Sequence, residues 1–265
     1  MKPYRKSPAC SGDLEKQSCM VGKDSPEILI GALISGGGTN LQAIFDACEN
    51  GKIKGKVVFV GSDNPDAYGL KRAKQHNIPA FTVNYSSIIK KYLETHDKKM
   101  IPDDFNLNDI ILKQSIFDSD INFEKVKNYM ISRAVAEAYL FKAMEKYRFD
   151  LLILAGFMRI LTPYFIDKIN TKDDSPRIMN IHPALLPSFK GVDGYGDTFR
   201  YGCKVGGCTV HYVDYGEDSG PIIGQKAFQI LENDTLDTIK KKGLKLEWEL
   251  YPECINLFAQ KRLKT

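Results

Sequence analysis

A near-continuous apolar run, Ile28–Ile34, ends abruptly at Ser35-Gly36-Gly37-Gly38-Thr39-Asn40, after which apolar residues recur at Leu41, Ala43, Ile44, Phe45 and Cys48 ahead of Asn50-Gly51. A short run that is apolar at almost every position reads as a parallel strand buried on both faces, and the spacing after it predicts a helix with a C-terminal glycine stop. Between the two, free backbone N–H groups and the helix dipole converge on one point, a geometry that binds phosphate. The glycines let the backbone approach an anion, and Thr39 or Asn40 can cap the helix and donate side-chain hydrogen bonds. No Lys-Ser/Thr follows the turn, so it is not a Walker A loop, and Leu41 stands where a dinucleotide fingerprint has its third glycine. A phosphate monoester fits at least as well as a dinucleotide.

Strand-length apolar segments recur at 56–61, 78–83, 150–156, 177–181, 206–212 and 221–230, with helical spacing at 69–75, 132–147 and 236–261. This alternation predicts an α/β fold with a mainly parallel central sheet flanked by helices and active residues at the C-terminal ends of strands. The 265 residues fit one large domain or a domain with an insertion. Residues 1–26 read as a flexible, polar N-terminal tail, and 27–262 as the catalytic domain. Its phosphate-binding half is 27–83 and its second half 131–262. Between them, 84–130 holds one proline, no glycine and many Lys, Asp, Asn and Ile. Helical spacing at 87–95 and 108–117 marks it as an insertion with structure of its own, expected to pack away from the active site.

The net charge of +4 is small and scattered, which argues against nucleic acid as a partner. No apolar run approaches the ~20 residues that span a bilayer, and residues 1–26 lack the apolar segment of a secretion signal. A cytoplasmic location is expected, with organelle targeting by 1–26 left open. The six cysteines show no C-x-x-C and no zinc spacing with histidine, which predicts reduced thiols and no metal site.

Four histidines limit proton-transfer chemistry to His76, His96, His182 and His211. Period-2 alternation puts Asn180 and His182 on one side of the strand that ends in His182-Pro183. The segment from His211 to Asp218 is a strand feeding an acidic loop able to bring a carboxylate to His182. Amide, imidazole and carboxylate form a coherent set for acyl transfer: Asn180 for a developing oxyanion, His182 to carry protons, Asp218 to orient the ring and raise its pKa. No Ser or Cys nucleophile stands in these strings, so direct attack by the acceptor is the simpler scheme. His211 reads equally as a packing residue, and His76 and His96 as structural.

The strings from Ile34 to Ile44, Leu154-Ala155-Gly156-Phe157-Met158-Arg159-Ile160-Leu161 and Asn180-Ile181-His182-Pro183-Ala184-Leu185-Leu186-Pro187 closely resemble the glycinamide ribonucleotide formyltransferases, within the folate-dependent formyltransferase family. Gly207-Cys208-Thr209-Val210-His211-Tyr212-Val213, Asp218-Ser219-Gly220-Pro221-Ile222-Ile223 and Glu247-Trp248-Glu249-Leu250-Tyr251-Pro252 keep the family's order. The resemblance implies a Rossmann-like formyltransferase fold. It also implies transfer of a formyl group from the co-substrate 10-formyltetrahydrofolate to the amine of 5'-phosphoribosylglycinamide in purine synthesis, without metal and with these small molecules as partners. By position, Asn180, His182 and Asp218 resemble the catalytic trio, Gly38, Thr39 and Asn40 the ribonucleotide-phosphate cradle, and Glu247 the acidic residue that grips the ribonucleotide. Arg133, Met158, Arg159, Ile160, Leu161, Asn180, Asp214, Tyr215, Gly216 and Glu217 resemble the folate pocket.

Two departures stand out. Where the family usually has a histidine after the glycine matching Gly191, this chain reads Val192-Asp193-Gly194-Tyr195-Gly196-Asp197, and the 84–130 insertion is longer than the family's usual connection. Two rivals remain. A formyltetrahydrofolate hydrolase shares the trio but is expected to carry a regulatory domain ahead of Glu27. A non-enzymatic nucleotide-binding module would use Asp63 as a ribose ligand, and leaves Asn180, His182 and Asp218 unexplained.

Overall fold

The computed structural model describes residues 27–118, 120–170 and 175–260. The expected tail at 1–26 and the end of the catalytic domain at 261–262 lie outside them. Seven strands form one sheet in the order β3-β2-β1-β4-β5-β6-β7. These are β1 Ile28–Ile34, β2 Gly55–Ser62, β3 Ala80–Thr82, β4 Leu151–Leu154, β5 Ile178–His182, β6 Val205–Tyr212 and β7 Ile222–Gln229. The first five are parallel, and β6 and β7 are added antiparallel.

β1 and β4 read as unbroken apolar runs because both faces are covered. One face packs against α1 (Thr39–Glu49) and α8 (Leu236–Ala259), with Leu41, Ile44, Leu250 and Ile255 in the same apolar cluster as Ile30 and Ile153. The other is covered by α5 (Phe123–Met144) and α6 (Pro163–Ile169), where Leu140 and Phe165 meet Leu152 and Ile178. A buried tyrosine fastens α8 to the sheet, the Tyr251 hydroxyl lying 2.7 Å from the Met179 carbonyl and 3.2 Å from that of Leu154. α8 continues through Pro252, and α2 (Tyr68–Gln75) completes the first half.

The expected strands and helices are present with shifted ends. α5 begins nine residues before the predicted start at 132, inside the insertion, where the Asn122 side chain accepts from the N–H of Lys125. Two short helices, α6 and α7 (Gly194–Arg200), were not predicted. The insertion contributes α3 (Tyr85–Thr95), a 3-10 turn at Lys98–Met100 and α4 (Leu107–Lys113). Ile110 on α4, Val126 and Met130 on α5 and Tyr164 on α6 share a further apolar cluster, so the insertion folds onto the domain. Among the described residues no helix is long and apolar enough to cross a membrane, and Cys48, Cys203, Cys208 and Cys254 are free thiols.

Candidate active site

The chain runs outward from β1 to β3 and then returns to place β4 on the other side of β1. In open parallel sheets ligands bind at this reversal, beyond the strands' C-terminal ends. Here the glycine turn follows β1, residues 156–161 follow β4, and His182 ends β5. A cleft of about 260 Å³ opens there.

The turn differs from its predicted form in one respect. Gly38 is the N-cap of α1, at φ 68°, and no side chain caps the helix. Thr39 and Asn40 therefore do not act as caps, and the first-turn N–H groups keep no side-chain acceptor. A Cβ on Gly36 or Gly37 would meet nothing within 4 Å, whereas one on Gly38 would stand 2.9 Å from the Gly69 Cα. The outer glycines thus present bare backbone to open space, and Gly38 is fixed by the close approach of α2. Arg72 on α2 adds a cation that sequence reasoning missed, its Nε donating to the Gly37 carbonyl at 2.9 Å. Gln42 ties this arginine to His76, which pairs with Glu49 at 2.6 Å and packs on Phe45, the structural role expected of it. Thr39 is exposed and faces a second cavity, shared with Arg72 and Trp248.

Asn40 points into the protein. Its Nδ2 donates to Glu247 Oε2 at 2.6 Å, while its Oδ1 is buried without a partner. The other Glu247 oxygen accepts from the Tyr195 hydroxyl, also at 2.6 Å. Tyr195, in the stretch that stands where the family usually has a loop histidine, is thereby turned toward Glu247 and Asn40, and its ring occupies the space left by the missing side chain of Gly243. Burial first, and then the Glu247 carboxylate, push its phenol far above the ordinary value of 10.0.

Asn180, His182 and Asp218 come together on one wall of the cleft. Asp218 Oδ2 lies 3.1 Å from His182 Nδ1 and accepts from the Gly191 N–H at 2.9 Å. Its Oδ1 lies 3.5 Å from Asn180 Nδ2. His182 Nε2 faces the Phe189 carbonyl at 2.8 Å, so both ring nitrogens point at oxygen acceptors, an arrangement that the imidazolium alone satisfies. Burial disfavours that cation, but the Asp218 carboxylate outweighs it and raises the pKa above 6.5. Asp218 moves the other way: burial raises its pKa, and the hydrogen bonds from His182 and His211 bring it far below 3.8. His211 belongs to this cluster, its Nε2 3.2 Å from Asn180 Nδ2 and its Nδ1 2.8 Å from the Tyr212 carbonyl.

Met158, Arg159, Ile160 and Leu161 form a further stretch of the cleft wall, and Asp214, Gly216 and Glu217 line the cleft as well. Ser35 holds this wall to β1, accepting from the Met158 N–H through its hydroxyl at 2.8 Å and donating its own N–H to the Gly156 carbonyl. Arg159 is paired at 2.5 Å with Oδ2 of Asp63, the carboxylate that the nucleotide-binding reading would give to a ribose, while Asp63 Oδ1 is buried without a partner. Arg133 and Tyr215 stand apart from the cleft. The Arg133 guanidinium stacks on Tyr129 at 3.5 Å, and the Tyr215 hydroxyl donates to Asp167 at 2.5 Å.

The insertion corrects an expectation. It supplies none of the cleft lining, yet it does not pack away from the site: the Ser115 N–H donates to the Tyr215 carbonyl at 2.9 Å, in the loop that carries Asp218.

Comparison with known proteins agrees with this layout. The formyl transferase family model matches residues 29–255. Phosphoribosylglycinamide formyltransferase of Haemophilus influenzae is 32% identical over 235 residues, 89% of either chain, and that of Escherichia coli is 33% identical over 88% of this chain and 87% of its own. Glycinamide ribonucleotide transformylase 1 from Symbiobacterium toebii superposes with a TM-score of 0.68 at 36% identity, covering 90% of this chain and 91% of that one. With a seven-stranded sheet of this order, a cleft at its reversal and a match along most of its length, the chain belongs to the formyl transferase family.

Proposed function

We propose that the chain transfers a formyl group from 10-formyltetrahydrofolate to the primary amine of 5'-phosphoribosylglycinamide, a step of purine synthesis. The observation that carries this reading is the convergence of Asn180, His182 and Asp218 on a cleft that has an acidic, amide-lined end at Asn40 and Glu247 and an apolar wall at Met158–Leu161. The glycine turn, with its uncapped helix N-terminus and Arg72 alongside, suits the phosphate. Glu247 and the unpartnered Asn40 Oδ1 suit the hydroxyl and amine donors of the ribonucleotide.

The geometry supports the following roles. The acceptor amine attacks the formyl carbon, and its lone pair becomes the new C–N bond while the carbonyl electrons move to oxygen. Asn180 Nδ2–H donates to that oxygen, an interaction worth about 2.7–4 kcal/mol for known oxyanion donors. Collapse breaks the bond to the folate nitrogen, which takes up the proton that the amine loses. His182, held as a cation by Asp218, stabilises the negative charge and relays the proton. Met158, Ile160 and Leu161 offer apolar surface to the folate ring, and Arg159 braces that wall through Asp63.

The test is product analysis by mass spectrometry with both substrates. Formylated ribonucleotide and tetrahydrofolate in equal amounts are expected. Free formate without formylated ribonucleotide would assign the hydrolase activity instead.

A further inference from the structure

We propose that residues 107–117 of the insertion are the positioning device of the acidic loop: they fix Tyr215 at both ends, so that Asp218, three residues on, meets His182. This rests on the formyl-transfer reading and deepens it, by naming what sets the donor side of the cleft.

The loop needs an external hold. Asp218 is a non-glycine residue at φ 45°, a conformation that persists only where the surroundings over-determine it. Within the loop, Asp214 Oδ1 accepts from the Gly216 N–H at 3.2 Å and the Ser219 hydroxyl at 2.6 Å, which shapes the turn without anchoring it to the body. The anchors on Tyr215 come from outside. Its carbonyl accepts from the Ser115 N–H at 2.9 Å. Its hydroxyl donates to Asp167 Oδ1, and the other Asp167 oxygen lies 2.8 Å from Lys113 Nζ. Lys113, the last residue of α4, also pairs with Asp109 at 2.7 Å. Asp167 is thus a bridge with the insertion on one oxygen and the loop on the other.

The strut is itself well founded. Gln114 Oε1 accepts from the N–H groups of Ile116 and Phe117, which sets the turn after α4, and Phe117 packs edge-on to Tyr129 with ring centres 4.8 Å apart. Loop and strut touch without a gap, since a Cβ on Gly216 would lie 2.8 Å from Ser115 Oγ. The Asp167 carboxylate pushes the Tyr215 phenol up to about 12, as expected for a hydroxyl committed as a donor. On the far side of the same loop, Asp214, Gly216, Glu217 and Asp218 line the cleft. A pull on Tyr215 therefore sets the wall that the formyl donor meets, and leaves the Asn40–Glu247 end untouched.

The experiment compares the full chain with Tyr215→Phe and Lys113→Met, using Leu112→Ala, on the same helix and 86% exposed, as the control. Hydrogen exchange at 215–219 and the separate KM values for 10-formyltetrahydrofolate and the ribonucleotide are read together. Both variants should speed exchange in the loop and lower kcat/KM for the donor about 5–30-fold, the equivalent of one or two kcal/mol, with the ribonucleotide KM at its wild-type value. Unaltered loop exchange and donor kinetics in both variants would overturn the proposal while formyl transfer by the wild type stood. If the wild type transferred nothing, the function reading would fail, and faster or unchanged loop exchange would still decide the strut.

Discussion

Asp218 meets His182 across 3.1 Å from a position whose φ is 45°, bringing the end of a loop onto the end of β5. Neither side chain has room to turn away: the histidine side chain is 3% exposed and the carboxylate 13%. The pair fixes both the charge and the direction of the imidazole.

The charge has a pH signature. The His182 pKa is raised above 6.5, so its stabilising effect is complete below pH 6.5 and is lost as pH rises through the raised value. The Asp218 pKa is lowered from 3.8, so its effect is complete above pH 3.8 and is lost as pH falls toward the lowered value. The pair therefore stabilises the fold most between these limits. Asp218→Asn should lower the His182 pKa, because burial is then opposed only by the Phe189 carbonyl and the Glu247 carboxylate, and NMR titration of the ring measures the shift. An unchanged pKa in the variant would contradict the account.

Asn180→Ala removes the amide donor while leaving the Asp218–His182 contact in place. A loss of about 10²–10³ in kcat, with little change in KM for the ribonucleotide, is expected from steady-state kinetics. A change confined to KM would remove Asn180 from the chemistry.

The glycines of the turn should separate by role. Gly36→Ala enters open space and should leave the melting temperature nearly unchanged, while its methyl group obstructs phosphate and raises KM for the ribonucleotide. Gly38→Ala combines φ 68° with a contact on Gly69 and should cost about 1–3 kcal/mol of stability. Thermal melts and kinetics on the two proteins decide it, and equal melting temperatures would contradict the assignment.

Much of this was legible in the chain, for reasons that particular residues make plain. β1 and its turn are local: a buried parallel strand must be apolar at nearly every position, and the glycines punctuate it. Asn180 and His182 share a face by strand alternation alone. α6 also carried a readable start in Thr162-Pro163, with proline at the first helical position. α7 did not, since Gly194 and Gly196 are poor helix formers, and the segment is held by the Tyr195–Glu247 contact across the fold. The contact of Ser115 with Tyr215 joins residues 100 apart and has no local pattern to announce it.

Glu137 gives a test independent of catalysis. It is fully buried and accepts from the Thr162 N–H at 2.7 Å and from the Thr162 hydroxyl, and burial pushes its pKa from 4.5 up to about 8. A raised carboxyl pKa means that the folded state binds the proton more tightly, so stability is lost as pH rises from 4.5 to about 8. Glu137→Gln should remove that part of the pH dependence, and should be neutral or stabilising at pH 8. Urea unfolding at pH 5 and pH 8 measures it, and an unchanged difference between the two would contradict the assignment.

The central claim is that His182 serves a formyl transfer that needs the ribonucleotide amine. The most direct measurement follows release of tetrahydrofolate from 10-formyltetrahydrofolate, with and without 5'-phosphoribosylglycinamide, for the wild type and His182→Ala. Turnover that depends on the acceptor and falls about 10²–10⁴-fold in the variant is the expected result. Turnover at the same rate without acceptor, or a variant as fast as the wild type, would contradict it.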